Sequence, residues 1–188
     1  LTSTLSGASP MSSDADKLFF DDLTREDDLG LVVKAHLHIE YQLAEFIQLS
    51  MPSPEKCDWA RVGFAAKLEV ALGLGLPDQL RKPLEAIGKL RNSFAHNLSY
   101  SQAQVDAVAL YNGLPARLHA GVKETYRRIR GSELKPSKLS NRDLLVIMLL
   151  NLRQAIQAEV QRARGGALAQ TSNLPTSQIP VATRMLRF

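Results

Sequence analysis

One stripe of large apolar residues between positions 80 and 94 constrains the fold of this chain more than any other feature. Its members, Leu80, Leu84, Ile87, Leu90 and Phe94, are spaced by four, three, three and four residues, which is the repeat of one face of an α-helix. A β-strand would instead alternate apolar and polar residues with a period of two, and no segment does so over a useful length. The sequence therefore predicts an all-α protein.

Apolar spacing and capping residues predict the other helices. We expect one from Thr24 to about Leu49 and one from about Trp59 to Leu72, before the helix that carries the stripe. After position 100 we expect helices from Ser101 to Tyr111, from Pro115 to about Arg130, and from Ser140 to Gly165. The fold prediction is a single helical bundle of five or six helices.

The last of these helices contains an unusual apolar run. Residues Leu144 to Leu150 are apolar around the whole helix, so we expect it to be the central helix of the bundle or part of a dimer interface. The bundle domain is predicted at 17–165, between a disordered leader at 1–16 that is rich in Ser and Thr, and a flexible tail at 166–188. No run approaches the roughly 20 apolar residues that a membrane span needs.

Composition restricts the function classes only mildly. The 188 residues include 23 Lys and Arg against 19 Asp and Glu, an excess that permits a nucleic-acid partner without requiring one. Cys57 is the only cysteine, which excludes an internal disulfide and suits a reducing cytoplasm. We therefore expect a cytoplasmic protein, and no motif points to a cofactor.

The segment 91–96, with the sequence RNSFAH, carries the chemistry at the end of the striped helix. Arg91 is a permanent cation with forked donors, and His96 can exchange a proton near neutral pH. On a straight helix, however, Arg91 and His96 diverge by about 140° at roughly 100° per residue. Convergence needs either a broken last turn or a second copy of the chain across a two-fold axis. Because Phe94 belongs to the apolar stripe, we expect His96 to face away from the core.

A structural role for the same segment is the alternative. Arg91 and Asn92 would then satisfy the last carbonyls of the helix, and His96 would lie beside the negative end of the helix dipole.

Two segments carry a family resemblance. The run FAAKLEVALGL at 64–74, followed by IGKLRNSFAH at 87–96, resembles the mannitol operon repressor family, over about 24–164 in total. The Arg-x4-His spacing with an intervening Asn92 is also similar to the motif of the wider HEPN superfamily of helical domains. Some HEPN toxins have a tyrosine two residues after the histidine, where this chain has Leu98.

The two resemblances imply different functions. A mannitol-repressor-like protein would be an all-helical regulator of transcription that acts through protein or nucleic-acid partners. Because the chain has no convincing helix-turn-helix, one such partner would be a DNA-binding protein. We expect the bundle to form a homodimer. A HEPN-like protein would be a metal-independent ribonuclease and a homodimer. Arg91 would stabilise a phosphate of the RNA, His96 would transfer a proton, and Asn92 would orient the histidine or bind substrate. We take the regulator as the leading hypothesis and the ribonuclease as the alternative.

Two further groups of residues are candidates for binding. His36 and Glu40 lie four apart and could both hold a metal, but no third ligand is evident, so we interpret them as a surface polar pair. The most basic stretch of the chain could follow a phosphate backbone, with Tyr126 as a possible stacking platform, although a solvated helix face is an equal alternative. Its cations are Lys123, Arg127, Arg128, Arg130, Lys135, Lys138 and Arg142.

Overall fold

The computed structural model describes residues 14–96 and 105–172, and within these residues it contains seven α-helices and no β-strand. The all-α helical bundle is therefore confirmed, with seven helices where the sequence predicts five or six. The helices are α1 (Asp14–Arg25), α2 (Asp28–Ser50), α3 (Phe64–Gly73), α4 (Arg81–His96), α5 (Ala107–Asn112), α6 (Ala116–Arg130) and α7 (Asn141–Ser172).

The first two helices differ from the prediction at their junction. Helix α1 is not predicted by the sequence pattern: among its residues 17–25, whose burial the structure describes, only Phe19 and Leu23, one turn apart, are buried. The predicted cap at Thr24 is wrong: α2 begins after Asp27, whose carboxylate accepts a hydrogen bond from the Gly30 amide at 2.7 Å. Because α1 begins at Asp14, the end of the predicted leader is helical, while residues 1–13 lie outside the described part of the chain.

Two of the predicted helices begin later than expected. Helix α3 begins at Phe64 rather than Trp59, and the Trp59 indole donates a hydrogen bond to the Pro54 carbonyl at 2.8 Å in the connection before it. Helix α5 begins at Ala107, where the Asp106 carboxylate accepts from the Ala109 amide at 2.8 Å. The predicted cap at Ser101 lies outside the described residues.

The long C-terminal helices follow the prediction except at the last end. Pro115 precedes α6, and Gly131 closes it in the left-handed conformation with a φ of 65°. Ser140 caps α7 by accepting a hydrogen bond from the Asp143 amide at 3.0 Å. The predicted end of α7 at Gly165 is wrong, because the helix continues to Ser172. The Arg164 guanidinium pairs with Glu45 on α2, which holds this part of α7 against the bundle.

Helix α7 is the centre of the bundle, as its apolar run predicts. All seven residues from Leu144 to Leu150 are buried, and α7 packs against α1, α2, α5 and α6. Helix α2 is the second organising element, since it contacts α1, α3, α4 and α7. In the described part of the chain, none of these helices combines the length and apolar character of a membrane span.

Candidate functional site

The segment 91–96 forms the last turns of α4, which stays α-helical up to His96. Phe94 is buried in the core, whereas Asn92 and His96 are exposed and Arg91 is half-buried. The prediction that His96 faces away from the core is therefore confirmed. The Arg91 guanidinium donates a hydrogen bond to the neighbouring Asn92 side-chain oxygen at 3.2 Å.

This continuous helix keeps Arg91 and His96 apart within one chain. They are five positions apart, so their side chains leave the helix in directions that differ by about 140°. No unwinding before His96 brings them together, because α4 is regular over the whole segment. Of the two routes to convergence, only a second copy of the chain remains.

Arg91 instead shares a cleft with residues of α2 and α3. His36, Glu40, Phe64, Arg91 and Asn92 all line this cleft, whose volume is about 860 Å³. The interpretation of His36 and Glu40 as a surface pair is wrong, because the His36 side chain is buried and the residue is only 5% exposed. The signal was present in the sequence: His36 lies four residues after Val32 and three before Ile39, on the apolar face of α2.

The polar groups around His36 come from all three helices. The Lys67 ammonium of α3 donates to Glu40 at 2.7 Å, and the His36 Nδ1 atom lies 3.8 Å from the other Glu40 oxygen. Burial lowers the pKa of His36 below its ordinary value; Glu40 acts in the opposite direction, while the positive charges of Arg91 and Lys67 lower it further. His36 is therefore a neutral imidazole at pH 7, with one donor and one acceptor nitrogen.

Close packing of α3 on α4 shapes the floor of the cleft. The Phe64 ring stacks at a tilt against His36, with ring centroids 4.5 Å apart. Gly88 of α4 lets the Phe64 ring lie close to the α4 backbone, because a Cβ atom at position 88 would lie 3.1 Å from that ring. The Glu40 carboxylate forms an ion pair with the Lys67 ammonium. The described residues contain no group of three His, Cys, Asp or Glu side chains that could hold a metal ion.

The basic stretch forms an exposed surface, with one exception. Lys123, Arg127 and Arg130 are spaced by four and three residues on one face of α6. Arg130 and Lys138 both line a cavity of about 390 Å³. Tyr126 and the exposed Ile129 also line this cavity. We call these exposed cations the basic surface, and its members are Lys123, Arg127, Arg128, Arg130, Lys135 and Lys138.

One carboxylate is engaged within the basic surface. Glu124 accepts hydrogen bonds from Arg128 at 2.5 Å and from Arg127 at 2.7 Å, and these two bonds hold its pKa below the ordinary value. Glu133, in the loop after α6, is the other acid of the stretch. The six cations of the basic surface outnumber these two acids.

Arg142, the seventh cation predicted to contact nucleic acid, does not lie among these exposed cations. Its guanidinium pairs with Asp28 at 3.1 Å and donates to the backbone carbonyls of Leu23, Thr24 and Glu26 at the junction of α1 and α2. The Leu23 and Thr24 carbonyls lie in the last turn of α1, where helix carbonyls lack partners within the helix, and Glu26 lies in the connection to α2. Arg142 is therefore a structural residue that joins α7 to the α1–α2 junction.

His119, for which the sequence suggests no partner, packs on Tyr111 of α5. The two ring centroids are 4.2 Å apart, and the Tyr111 hydroxyl lies 3.5 Å from the His119 Nδ1 atom. Burial lowers the pKa of His119, and nearby Lys123 lowers it further. This contact attaches α5 to α6 and has no evident part in a site.

Comparison with protein-family models, with curated proteins and with solved structures finds no match to this chain. The geometry of the cleft and of the basic surface therefore carries the functional argument.

Proposed function

We propose that this protein is a helical regulator of transcription, similar in kind to the mannitol operon repressors, that contacts nucleic acid through the basic surface. The observation that carries the proposal is the arrangement of Lys123, Arg127 and Arg130 along one face of α6, with Lys138 lining the same cavity as Arg130. Exposed cations in a row neutralise successive phosphates and release counterions from the nucleic acid. This mode of binding requires no helix-turn-helix.

The test is fluorescence anisotropy with labelled double-stranded DNA and single-stranded RNA at several salt concentrations. We expect the affinity of the wild type for DNA to fall with a log–log slope steeper than about −3, since each phosphate contact contributes about −0.9. The double variant Arg130→Glu/Lys138→Glu removes two contacts and should reduce the slope by about 2. Absence of binding to either nucleic acid at low salt would overturn the proposal and indicate a protein partner.

A charge-matched control accompanies this variant. Lys56→Glu/Arg61→Glu makes the same change in net charge in the connection between α2 and α3, outside the basic surface. It should leave the slope unchanged. An equal loss in the control would mean that overall charge, rather than this surface, governs binding.

A metal-independent ribonuclease of the HEPN type is the second candidate, and the exposure of Asn92 and His96 at the end of α4 favours it. Because α4 is unbroken, the site would have to combine Arg91 of one copy with His96 of another across a two-fold axis. Arg91 would stabilise the charged phosphate, and His96 would transfer a proton.

Subunit mixing tests this composite site directly. Arg91→Ala and His96→Ala should each abolish RNA cleavage, but a mixed dimer keeps one intact site, formed by Arg91 of one copy and His96 of the other. A freely exchanged equimolar mixture should therefore recover about a quarter of wild-type activity, since half of the dimers are mixed and each has one of two sites. No cleavage by the wild type, or no recovery on mixing, would contradict the composite nuclease.

A further inference from the structure

The cleft between α2, α3 and α4 contains a cation that lacks an acidic partner. Of the acids that line the cleft, Glu40 pairs with Lys67 and Glu69 pairs with Arg81 at 2.5 Å, whereas Glu85 makes no ion pair with a described residue. Among the described residues, no carboxylate pairs with Arg91, whose guanidinium donates to the Asn92 side-chain oxygen. A half-buried guanidinium without a carboxylate is a strong candidate for binding an anion.

The groups around Arg91 suit an anion that carries an organic part. Asn92 accepts from Arg91 through its oxygen, which leaves its amide N–H groups to donate to the same ligand. The Phe64 ring and the small residues Gly63 and Ala66 provide an apolar wall beside these donors. The volume of about 860 Å³ is that of a small-molecule site, in the range of about 300–1,000 Å³.

We propose that this cleft binds a small phosphate monoester, whose phosphate lies on Arg91 and Asn92 and whose organic part packs against the Phe64 ring. The forked donors of arginine match two phosphate oxygens, which a single ammonium cannot do. His36, neutral and buried beside the ring, offers a further donor at the inner end of the cleft. The site is separate from the basic surface and therefore independent of the proposed DNA contact, although it shares Arg91 and Asn92 with the ribonuclease candidate.

Isothermal titration calorimetry with phenyl phosphate tests the proposal, with inorganic phosphate and phenol as probes of its two halves. We expect phenyl phosphate to bind the full chain at least tenfold more tightly than either probe. Arg91→Ala should weaken phenyl phosphate binding tenfold or more, and Arg91→Lys should weaken it less. The exposed Arg117→Ala on α6 removes the same charge elsewhere and should have no effect. Equal binding by wild type and Arg91→Ala would overturn the proposal.

Two further variants locate the ligand. Gly88→Ala adds a Cβ atom 3.1 Å from the Phe64 ring, so it should weaken phenyl phosphate more than inorganic phosphate. Arg130→Glu/Lys138→Glu, which tests the nucleic-acid proposal, should bind phenyl phosphate like the wild type. Loss of phenyl phosphate binding in this second variant would place the anion on the basic surface and overturn the cleft assignment. Retained far-ultraviolet circular dichroism shows that each variant is folded.

Discussion

Asp27 determines where α2 begins, although the sequence also offers the Thr24 hydroxyl as a cap, with acidic residues after it. The Asp27 carboxylate accepts from the Gly30 amide at 2.7 Å, whereas the Thr24 hydroxyl donates to the Asp21 carbonyl at 3.1 Å within α1. A cap stabilises a helix by accepting hydrogen bonds from its first amides, which otherwise have no partner. Only Asp27 does this for α2.

The two residues therefore differ in their effect on stability. We expect Asp27→Ala to lower the free energy of unfolding by about 1 kcal/mol, which is the usual cost of removing a cap. Thr24→Ala should change it by less than about 0.5 kcal/mol, as for an ordinary surface substitution. Urea unfolding of both variants measures the difference. A larger loss for Thr24→Ala would contradict the assignment of the cap.

Arg142 and His36 show why the role of a single polar residue is hard to read from sequence. In the sequence, Arg142 is one of seven cations in a basic stretch, but in the fold its guanidinium meets three backbone carbonyls more than a hundred residues earlier. His36 has a helical spacing that allows burial, yet only the packing of Phe64 and α4 shows what surrounds it. Contacts between distant segments decide both roles.

At the scale of the element, a glycine and an amide control how closely α6 approaches α7. Asn151 of α7 donates to the Thr125 hydroxyl at 3.1 Å and to the Ile147 carbonyl at 2.9 Å, in a buried position between the two helices. Gly121 faces this amide, and a Cβ atom there would lie 2.8 Å from the Asn151 oxygen. The two helices can pack at this distance only because position 121 has no side chain.

Gly121→Ala should therefore disrupt the α6–α7 contact. We expect it to lower the free energy of unfolding by about 1–3 kcal/mol, the cost of overpacking a filled interface. Gly165→Ala is the matched control, because nothing lies within 4 Å of a Cβ atom there and the residue is inside α7. That substitution should raise stability by up to about 1 kcal/mol through helix propensity. Urea unfolding distinguishes the two, and equal effects would contradict the close contact.

The sequence predicts the buried faces of the helices better than it predicts their ends. The stripe on α4 and the run Leu144 to Leu150 are buried as predicted, because burial of a helix face imposes a regular apolar spacing. Helix ends are less predictable: α7 continues through Gly165, whose cost in a helix is small enough for neighbouring contacts to overcome. The cleft could not be predicted, because it joins His36, Phe64 and Arg91 from three helices.

At the scale of the whole molecule, the fold lowers the pKa of three of its four histidines. Burial is the first cause of a lowered pKa at His36, His38 and His119. For His38 the guanidinium of Arg153 lowers the pKa further, as Lys123 does for His119. Unfolding returns each imidazole to an ordinary pKa of about 6.5, so below about that pH the unfolded chain binds more protons than the folded chain.

The sign of the resulting pH dependence follows from this difference. Stability from these groups is fully present above the unfolded pKa of about 6.5 and is lost as the pH falls from there toward the lower folded values. We expect the urea midpoint of the wild type to decrease as the pH is lowered from 8 to 5.5. His36→Gln should show a smaller fall, whereas Leu68→Ala, which removes a buried side chain of α3 without a titrating group, should be less stable at every pH with the wild-type slope. A wild-type midpoint that stays constant over this range would contradict the neutral state of the buried histidines.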